Sequence, residues 1–389
     1  MQPMASPRAR LATAAAFATQ GFVFISLTTR LPDFTDRWGL SELGLSGLLL
    51  MMVLLAGVGS VASEHLAEHS DSATVLRIGL GLVAIAVPLL AAAPVAPVFV
   101  AGMAVYGVGL GVIDASSNMQ AVALEHAYAR PILPSFHGAW TLGGIVGALV
   151  TLATPGFPLE ATTVLAVLPL VVLFAPFVRR DHGITAEISD VAVPWRPILL
   201  VGIALVLFYM VDTAAATWGP TYLDDTFATP DGLVALATFP YLVASGVVRL
   251  AGDQAVAAYG AVRVLRVGAV LAAASLAVVV FAPTWQVAVI GFTLLGAGTA
   301  VIAPLSFSAA ARIAGDEAGL SPAARQVRVD AVIARFNQFN YAGALIGSVL
   351  IGVVGSGNLR VGFAVPMVLV LGLLPLAKAF APVKPVRVG

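Results

Sequence analysis

Two carboxylic acids, Asp114 and Asp212, lie well inside long apolar segments of the sequence. Asp212 belongs to PILLVGIALVLFYMVDTAAATWG, residues 197–219, where every other side chain is apolar, small or weakly polar. An ionised residue at mid-bilayer costs about 2.5–3.5 kcal/mol, so such residues face protein or water and are candidates for function. Asp212 is therefore expected to carry protons or to contact a substrate. The alternative is an acid that only holds its helix in place through hydrogen bonds.

A second polar group is expected around Asp114. Asn118 follows it by four residues and so lies on the same face of a helix. His137 begins the next apolar segment, and imidazole titrates in the physiological range. The three residues are predicted to form one cluster that acts as a gate or as a second proton site. The alternative is a static Asp–His pair that braces two helices.

Uncharged polar residues recur in the apolar segment 331–354. Asn337, Asn340 and Tyr341 follow one another at helical spacing and are expected to share a face. Exposing these polar groups to lipid would cost free energy, so they are predicted to line a cavity. Arg335 lies near the cytoplasmic end of the same segment. Hydrogen bonds between helices are the alternative.

Two tryptophans and one arginine complete the set of candidate site residues. Trp218 either anchors its helix at the membrane interface or stacks on a substrate. Trp140 is grouped with the residues expected to line the cavity. Arg30 either pairs with Asp33, binds an anionic group of a substrate, or is a plain interfacial arginine.

Composition places this chemistry in a membrane. Of the 389 residues 59% are hydrophobic and only 10% are charged, with a mean hydropathy of +0.98; soluble domains carry about 25% charged residues. The net charge of +0 gives no reason to expect nucleic acid. The absence of cysteine excludes disulfides and thiolate metal sites. No catalytic constellation or cofactor motif is found, and the histidines four residues apart, His65 and His69, are expected to lie in a solvated cytoplasmic loop. The chain is therefore expected not to be an enzyme.

Apolar runs of about 20 residues predict helices that cross a bilayer. Six of them precede a polar break and six follow it, which predicts an all-α integral membrane protein with 12 transmembrane helices. The predicted spans are 10–29, 44–63, 74–93, 98–122, 133–153, 160–178, 197–219, 232–252, 262–282, 285–311, 331–354 and 361–380. Two six-helix bundles, residues 1–178 and 197–389, are expected on either side of a linker, 179–196.

Basic residues set the expected orientation. With the N-terminus in the cytoplasm, only Arg30, Arg37 and Arg360 of the 20 basic residues fall on the outer side. Both termini and the linker are therefore predicted to be cytoplasmic.

The two halves resemble each other in sequence. VLRIG at 75–79 aligns with VLRVG at 264–268, and the same offset places Glu64 on Asp253. Further on, FHGAWTLGGIVG at 136–147 aligns with FNQFNYAGALIG at 336–347. Both copies have the same direction, which indicates a parallel duplication of a six-helix unit. Glycines four residues apart in the second pair of segments predict close helix packing: Gly143, Gly147, Gly343 and Gly347.

The segment GVVRLAGDQAVAAYGAVRVLR, residues 246–266, resembles the cytoplasmic signature of major facilitator superfamily transporters. The resemblance covers nearly the whole chain and assigns Arg249, Asp253 and Arg263 to a signature loop. In the first half the copy departs from the pattern, with Ser60 in place of the arginine. The stretches DASSNMQAVALEHAYARPILPSFHGAW and MVDTAAATWGPTYL resemble a bacterial subgroup, the YbjJ-like transporters.

The resemblance implies a monomer that moves a small organic solute across the bilayer by alternating access. Proton coupling through Asp212 is the preferred energy source, with Asp114 and His137 on the cytoplasmic side. Export of a drug or metabolite is favoured over sugar-like uptake because the predicted polar ring is sparse. A proton-independent facilitator and a non-transporting membrane receptor are the alternatives.

Overall fold

The computed structural model of the chain describes residues 6–40, 42–154, 157–179, 194–230, 233, 236–316, 321–355 and 357–381. All regular structure in these ranges is helical, as predicted. The α-helices are α1 Pro7–Thr28, α2 Leu31–Trp38, α3 Glu42–His69, α4 Ser72–Ala91, α5 Ala96–Tyr128, α6 Leu133–Ala153, α7 Val167–Val172, α8 Trp195–Phe227, α9 Phe239–Tyr259, α10 Ala261–Val280, α11 Trp285–Thr299, α12 Ile302–Gly315, α13 Pro322–Phe336, α14 Gln338–Val354, α15 Leu359–Leu369 and α16 Leu373–Leu376. Short 3₁₀ segments are Leu159–Ala166, Val370–Gly372 and Ala377–Phe380.

Several helices begin at residues that favour a helix start. The side chains of Ser6, Asp71 and Ser321 accept hydrogen bonds from backbone N–H groups in the first turns of α1, α4 and α13. Pro7 and Pro322 occupy the first helical position, where the missing N–H costs nothing.

Ten helices in the described ranges are long and apolar enough to cross a membrane. Two of the twelve predicted spans have a different form. The one expected at 160–178 is a 3₁₀ segment followed by α7, apolar but shorter, over Leu159–Val172. The one expected at 232–252 is found later in the chain, as α9, where Arg249 and Asp253 reduce the hydropathy.

The predicted span 285–311 is broken into α11 and α12. Pro304 explains the break, because it has no N–H to donate to the carbonyl four residues earlier, that of Ala300. The free carbonyl of Ala300 accepts a hydrogen bond from the guanidinium of Arg249 instead, at 3.0 Å.

Contacts divide the chain into two compact units. One combines Met1–Val193 with Ala314–Tyr341, and the other combines Pro194–Ile313 with Ala342–Gly389. Residues 314–341, which the sequence assigns to the second half, group with the first. Residues 180–193 of the predicted linker lie outside the described residues. The division into two six-helix bundles remains a prediction.

Helix packing within each unit depends on glycines, as the sequence predicts. A Cβ atom at Gly143 would lie 2.0 Å from the carbonyl oxygen of Ala18, and one at Gly147 would lie 2.6 Å from that of Phe22. Helices α1 and α6 therefore touch backbone to backbone. In the other unit, a Cβ atom at Gly347 of α14 would lie 2.3 Å from the carbonyl oxygen of Met210 in α8. Such approach matters in lipid, where helices associate mainly through close packing.

We expect Gly143→Ala to destabilise the protein by about 1–3 kcal/mol, because the added methyl forces α1 and α6 apart. The measurement is the melting temperature in detergent. Gly81→Ala is the matched control, since its Cβ would meet Leu173 at 3.6 Å, an ordinary contact. Equal melting temperatures for the two variants would contradict the close α1–α6 packing.

Candidate functional site

The carboxylate of Asp114 is held by uncharged groups from two other segments of its unit. The amide nitrogen of Gln20, in α1, donates to Oδ1 of Asp114. The hydroxyl of Tyr341 donates to Oδ2 at 3.0 Å. Asp114 therefore has hydrogen-bond donors on both oxygens, and both are neutral side chains.

Asn118 extends this site by one helical turn. Its amide nitrogen donates to the backbone carbonyl of Asp114 at 2.9 Å. That bond fixes the orientation of the amide, because only its NH₂ end can donate to a carbonyl. The opposite end, Oδ1, is buried and has no hydrogen-bond donor in the described part of the chain. The site thus presents a carboxylate and, beside it, a free buried acceptor.

His137 and Trp140 lie on α6 and face α1. The imidazole ring of His137 is 5.4 Å from the ring of Phe17, and the indole of Trp140 is 6.3 Å from the ring of Phe24. The carboxylate of Asp114 accepts hydrogen bonds from Gln20 and Tyr341, and the predicted cluster of Asp114 with His137 remains a prediction. The close α1–α6 packing explains why these aromatic rings lie against α1.

Residues 334–338 dock onto α3 through side chains from both segments. Arg335 and Glu64 form a bidentate ion pair, with 2.8 Å from Nε to Oε2 and 2.5 Å from Nη2 to Oε1. The hydroxyl of Ser60 donates to the carbonyl of Ala334 at 3.1 Å, and the amide of Gln338 donates to the carbonyl of Gly57 at 3.3 Å. Residues 57–64, in the first-half copy of the signature, therefore form the surface on which residues 334–338 dock.

This docking gives partners to several polar residues in segment 331–354. Arg335 is paired with Glu64, and its predicted place at a cavity or gate remains a prediction. Asn337 donates to the hydroxyl of Ser60 at 3.3 Å and to that of Tyr341 at 3.5 Å, so it connects the docked segment to the Asp114 site. Asn340 is half-buried.

Asp212 occupies a comparable site in the other unit. The hydroxyl of Tyr241, in α9, donates to Oδ1 of Asp212. The same hydroxyl lies 3.3 Å from that of Thr299, at the end of α11. The cation of Arg249, also in α9, is close enough to act on Asp212 electrostatically. Helices α8, α9 and α11 together position the site.

The predicted signature loop is largely helical. Arg249 and Asp253 lie within α9, and Arg263 lies in the first turn of α10, exposed to the surroundings. A single residue, Gly260 with φ of +77°, separates the two helices, because glycine tolerates this backbone conformation. Arg249 is buried, bonded to the carbonyl of Ala300 that Pro304 leaves free.

Trp218 and Arg30 are both engaged by neighbouring backbone. The indole nitrogen of Trp218 donates to the carbonyl of Ser348 at 2.8 Å, which joins α8 to α14. Arg30 binds Asp33 at 3.0 Å and donates to the carbonyls of Thr154 at 2.8 Å and Phe157 at 3.2 Å. These contacts give Arg30 a structural role at the end of α6.

Gln20, Tyr241, Thr299 and Glu64 contact the site residues but are not in the predicted set. The first three are uncharged residues within apolar spans, and a search limited to charges overlooks them. The sequence does indicate a role for Glu64, because the internal repeat aligns it with Asp253 of the second-half signature.

No protein-family model matches the sequence. An uncharacterised MFS-type transporter of Yersinia pestis is 26% identical over 381 residues, 95% of this chain and 95% of the relative. An uncharacterised transporter of Sinorhizobium fredii, y4wD, is 25% identical over 305 residues, 77% of this chain and 81% of the relative.

Solved structures show the same fold. The major facilitator superfamily transporter FucP, in its outward conformation, matches with a TM-score of 0.78 at 16% identity, over 96% of this chain and 98% of FucP. A second structure, of the E. coli fucose:proton symporter FucP, matches with a TM-score of 0.75 at 14% identity, over 96% of this chain and 98% of FucP.

The chain thus has the fold of the major facilitator superfamily transporters that it matches. These transporters are not enzymes, in agreement with the sequence. Membership of the YbjJ-like subgroup remains a prediction.

We expect Glu64→Gln to loosen the docking of residues 334–338 on α3. The chain has no cysteine, so Ala334→Cys, at a position that is 0% exposed, introduces a single reporter thiol. Because the partner Arg335 is largely exposed, loss of the ion pair should cost about 0.5–1 kcal/mol and raise the rate of maleimide labelling about two- to fivefold.

Glu160→Gln is the control for this experiment, since it removes a different exposed ion pair, with Arg37. The docking interpretation is wrong if Glu64→Gln leaves the labelling rate unchanged, or if Glu160→Gln raises it equally.

Proposed function

We propose that the chain is a proton-coupled secondary transporter of a small polar organic solute. Asp212 is the carboxylate that binds and releases the transported proton. Asp114 and Asn118 contact the solute. The single observation that carries this proposal is that neutral side chains donate hydrogen bonds to both membrane-embedded carboxylates.

The chemistry of these partners supports a functional role. A direct ion pair holds a carboxylate in its ionised form, whereas hydrogen bonds from neutral groups leave it better able to bind and release a proton. The ion pairs of Arg30 with Asp33, Arg37 with Glu160 and Arg335 with Glu64 do not include Asp114 or Asp212. Both acids therefore remain available for a proton or for a donor group of a solute.

The Asp114 site favours a polar solute that donates hydrogen bonds. It combines the carboxylate with the buried, unpaired Oδ1 of Asn118, and both groups are acceptors. A hydroxyl or amine group would satisfy the Asn118 oxygen, whose burial without a partner is costly. A solute with several such groups is therefore a better fit than a purely apolar one.

The fold shared with the E. coli fucose:proton symporter, at 14% identity, supports proton coupling by analogy. We place the protein in the bacterial inner membrane with both termini in the cytoplasm, as its basic residues favour. A monomer is sufficient for alternating access. Export, predicted from the sequence, remains the preferred direction.

A thermal-shift screen over several chemical classes can find the solute. Purified protein in detergent is tested for thermal stabilisation by panels of monosaccharides, polyols, amino acids, organic acids and cationic drugs. Polyols, sugars or amines are expected to raise the melting temperature, and Asn118→Leu is expected to abolish that rise. Stabilisation by apolar compounds alone would contradict the assigned solute class, and stabilisation by none would favour a non-transporting receptor.

We expect Asp212→Asn to abolish accumulation of the stabilising solute driven by a pH gradient in proteoliposomes. The amide cannot bind and release the transported proton, whereas solute binding at Asp114 should persist. Accumulation is measured with labelled solute, and proton movement with a pH-sensitive dye inside the vesicles. Gradients of both polarities also reveal the direction of transport.

The matched control is Asp225→Asn, which removes an exposed acid from the same helix. Full pH-driven accumulation by Asp212→Asn would exclude Asp212 as the proton carrier. A wild-type protein that ignores the pH gradient would instead be a proton-independent facilitator.

A further inference from the structure

A chain of two hydroxyls ends at the Asp212 carboxylate. The Tyr241 hydroxyl donates to Oδ1 of Asp212 and lies 3.3 Å from the hydroxyl of Thr299. Thr299 in turn donates to the backbone carbonyl of Leu295 at 2.9 Å. Tyr241 is 2% exposed and Thr299 is 0% exposed, so no bulk water competes for these bonds.

The bond between Tyr241 and Asp212 can reverse its direction while every buried donor keeps an acceptor. Each hydroxyl has one proton to donate and can also accept. With Asp212 ionised, Tyr241 donates to the carboxylate. With Asp212 protonated, the acid donates to the oxygen of Tyr241, Tyr241 donates to Thr299, and Thr299 donates to Leu295. Every buried donor then has an acceptor in both states, which avoids the cost of an unpaired polar group.

We propose that Tyr241 and Thr299 form a reversible hydrogen-bond chain that lets Asp212 bind and release a proton while its surroundings stay paired. Tyr241 is a positioning residue for the proton, and Thr299 is the acceptor that the protonated state requires. The proposal rests on Asp212 as the proton carrier of the proposed function.

The charged groups near Asp212 are bonded to other groups or lie far from it, whereas the hydroxyl of Tyr241 is its direct hydrogen-bond partner and contacts that of Thr299. Arg249, from α9, acts on Asp212 electrostatically and is itself bonded to the carbonyl of Ala300. Helices α11 and α14 contain no charged residue. Of the remaining segments packed on α8, one brings Arg360, which stacks on Phe227, about 22 Å along the helix from Asp212.

The other charged residues of α8 and α9 are Arg196, Asp224, Asp225 and Asp253. The last charged group on the segments packed against α8 is Lys378. It follows Gly372, which packs against Leu207, and so lies nearer the start of α8 than Asp212 does. Tyr241 and Thr299 are therefore the groups whose removal should change proton binding at Asp212 most directly.

The test titrates the proton itself, so it needs no known solute. The full-length protein in lipid nanodiscs is titrated with acid while infrared spectroscopy follows the carboxylic C=O band. The part of the band lost in Asp212→Asn is assigned to Asp212. Its midpoint is then measured in Tyr241→Phe and Thr299→Val, with melting temperatures checking that both variants are folded.

The two variants should shift the midpoint in opposite directions. Tyr241→Phe removes a donor to the ionised carboxylate, and because bonds to charged groups are the stronger ones, the midpoint moves about one unit to higher pH. Thr299→Val removes the acceptor needed by the protonated state and moves the midpoint to lower pH. Thr299→Ser keeps a hydroxyl and should restore the wild-type midpoint.

Tyr222→Phe is the matched control, since it removes another buried tyrosine hydroxyl of the same unit, bonded to the carbonyl of Val279. Its midpoint should equal that of the wild type. Shifts of the same sign in Tyr241→Phe and Thr299→Val, or shifts no larger than that of Tyr222→Phe, would overturn the hydrogen-bond chain.

The outcome separates this inference from the proposed function. If pH-driven transport requires Asp212 but the opposite shifts are absent, only the hydrogen-bond chain is rejected. If the opposite shifts are found but Asp212→Asn still couples transport to the pH gradient, the chain stands and Asp212 is not the carrier. If Asp212→Asn removes no part of the titrating band, both ideas fail.

Discussion

The constraint on which the rest of this structure depends is that a polar group inside lipid must find its partner within the protein. Asp212 meets this requirement through Tyr241, and Asp114 meets it through Gln20 and Tyr341. Each carboxylate thereby ties its helix to at least one other segment. The position of an acid in one span therefore determines which side chains its neighbours must present.

Backbone groups are subject to the same constraint. Pro304 breaks a long apolar helix and leaves the carbonyl of Ala300 without its usual donor, and Arg249 supplies the replacement. This contact holds the cation of α9 close enough to act on Asp212 electrostatically. A single proline thus helps to explain both the kink and the electrostatics of the Asp212 site.

Individual residues show how far the sequence can predict such a site. Asp114 and Asp212 could be found because a charge in an apolar run is rare and costly, and the packing glycine Gly143 because close helix approach demands small residues. Gln20 and Tyr241 could not, since a neutral polar residue in a span is common. Arg335 also illustrates the difficulty, because its ion pair with Glu64 joins positions remote in sequence.

By itself the sequence determined the helical class, the membrane as solvent and the two acids, because hydropathy and the cost of a charge act on local segments. The tertiary structure decided which groups satisfy those acids and which candidates are occupied elsewhere, as Trp218 and Arg30 are. It also decided that residues 314–341 group with the first unit. The reason is physical: a hydrogen-bond partner is chosen by the packing of helices, and periodicity along one helix carries no information about its neighbour.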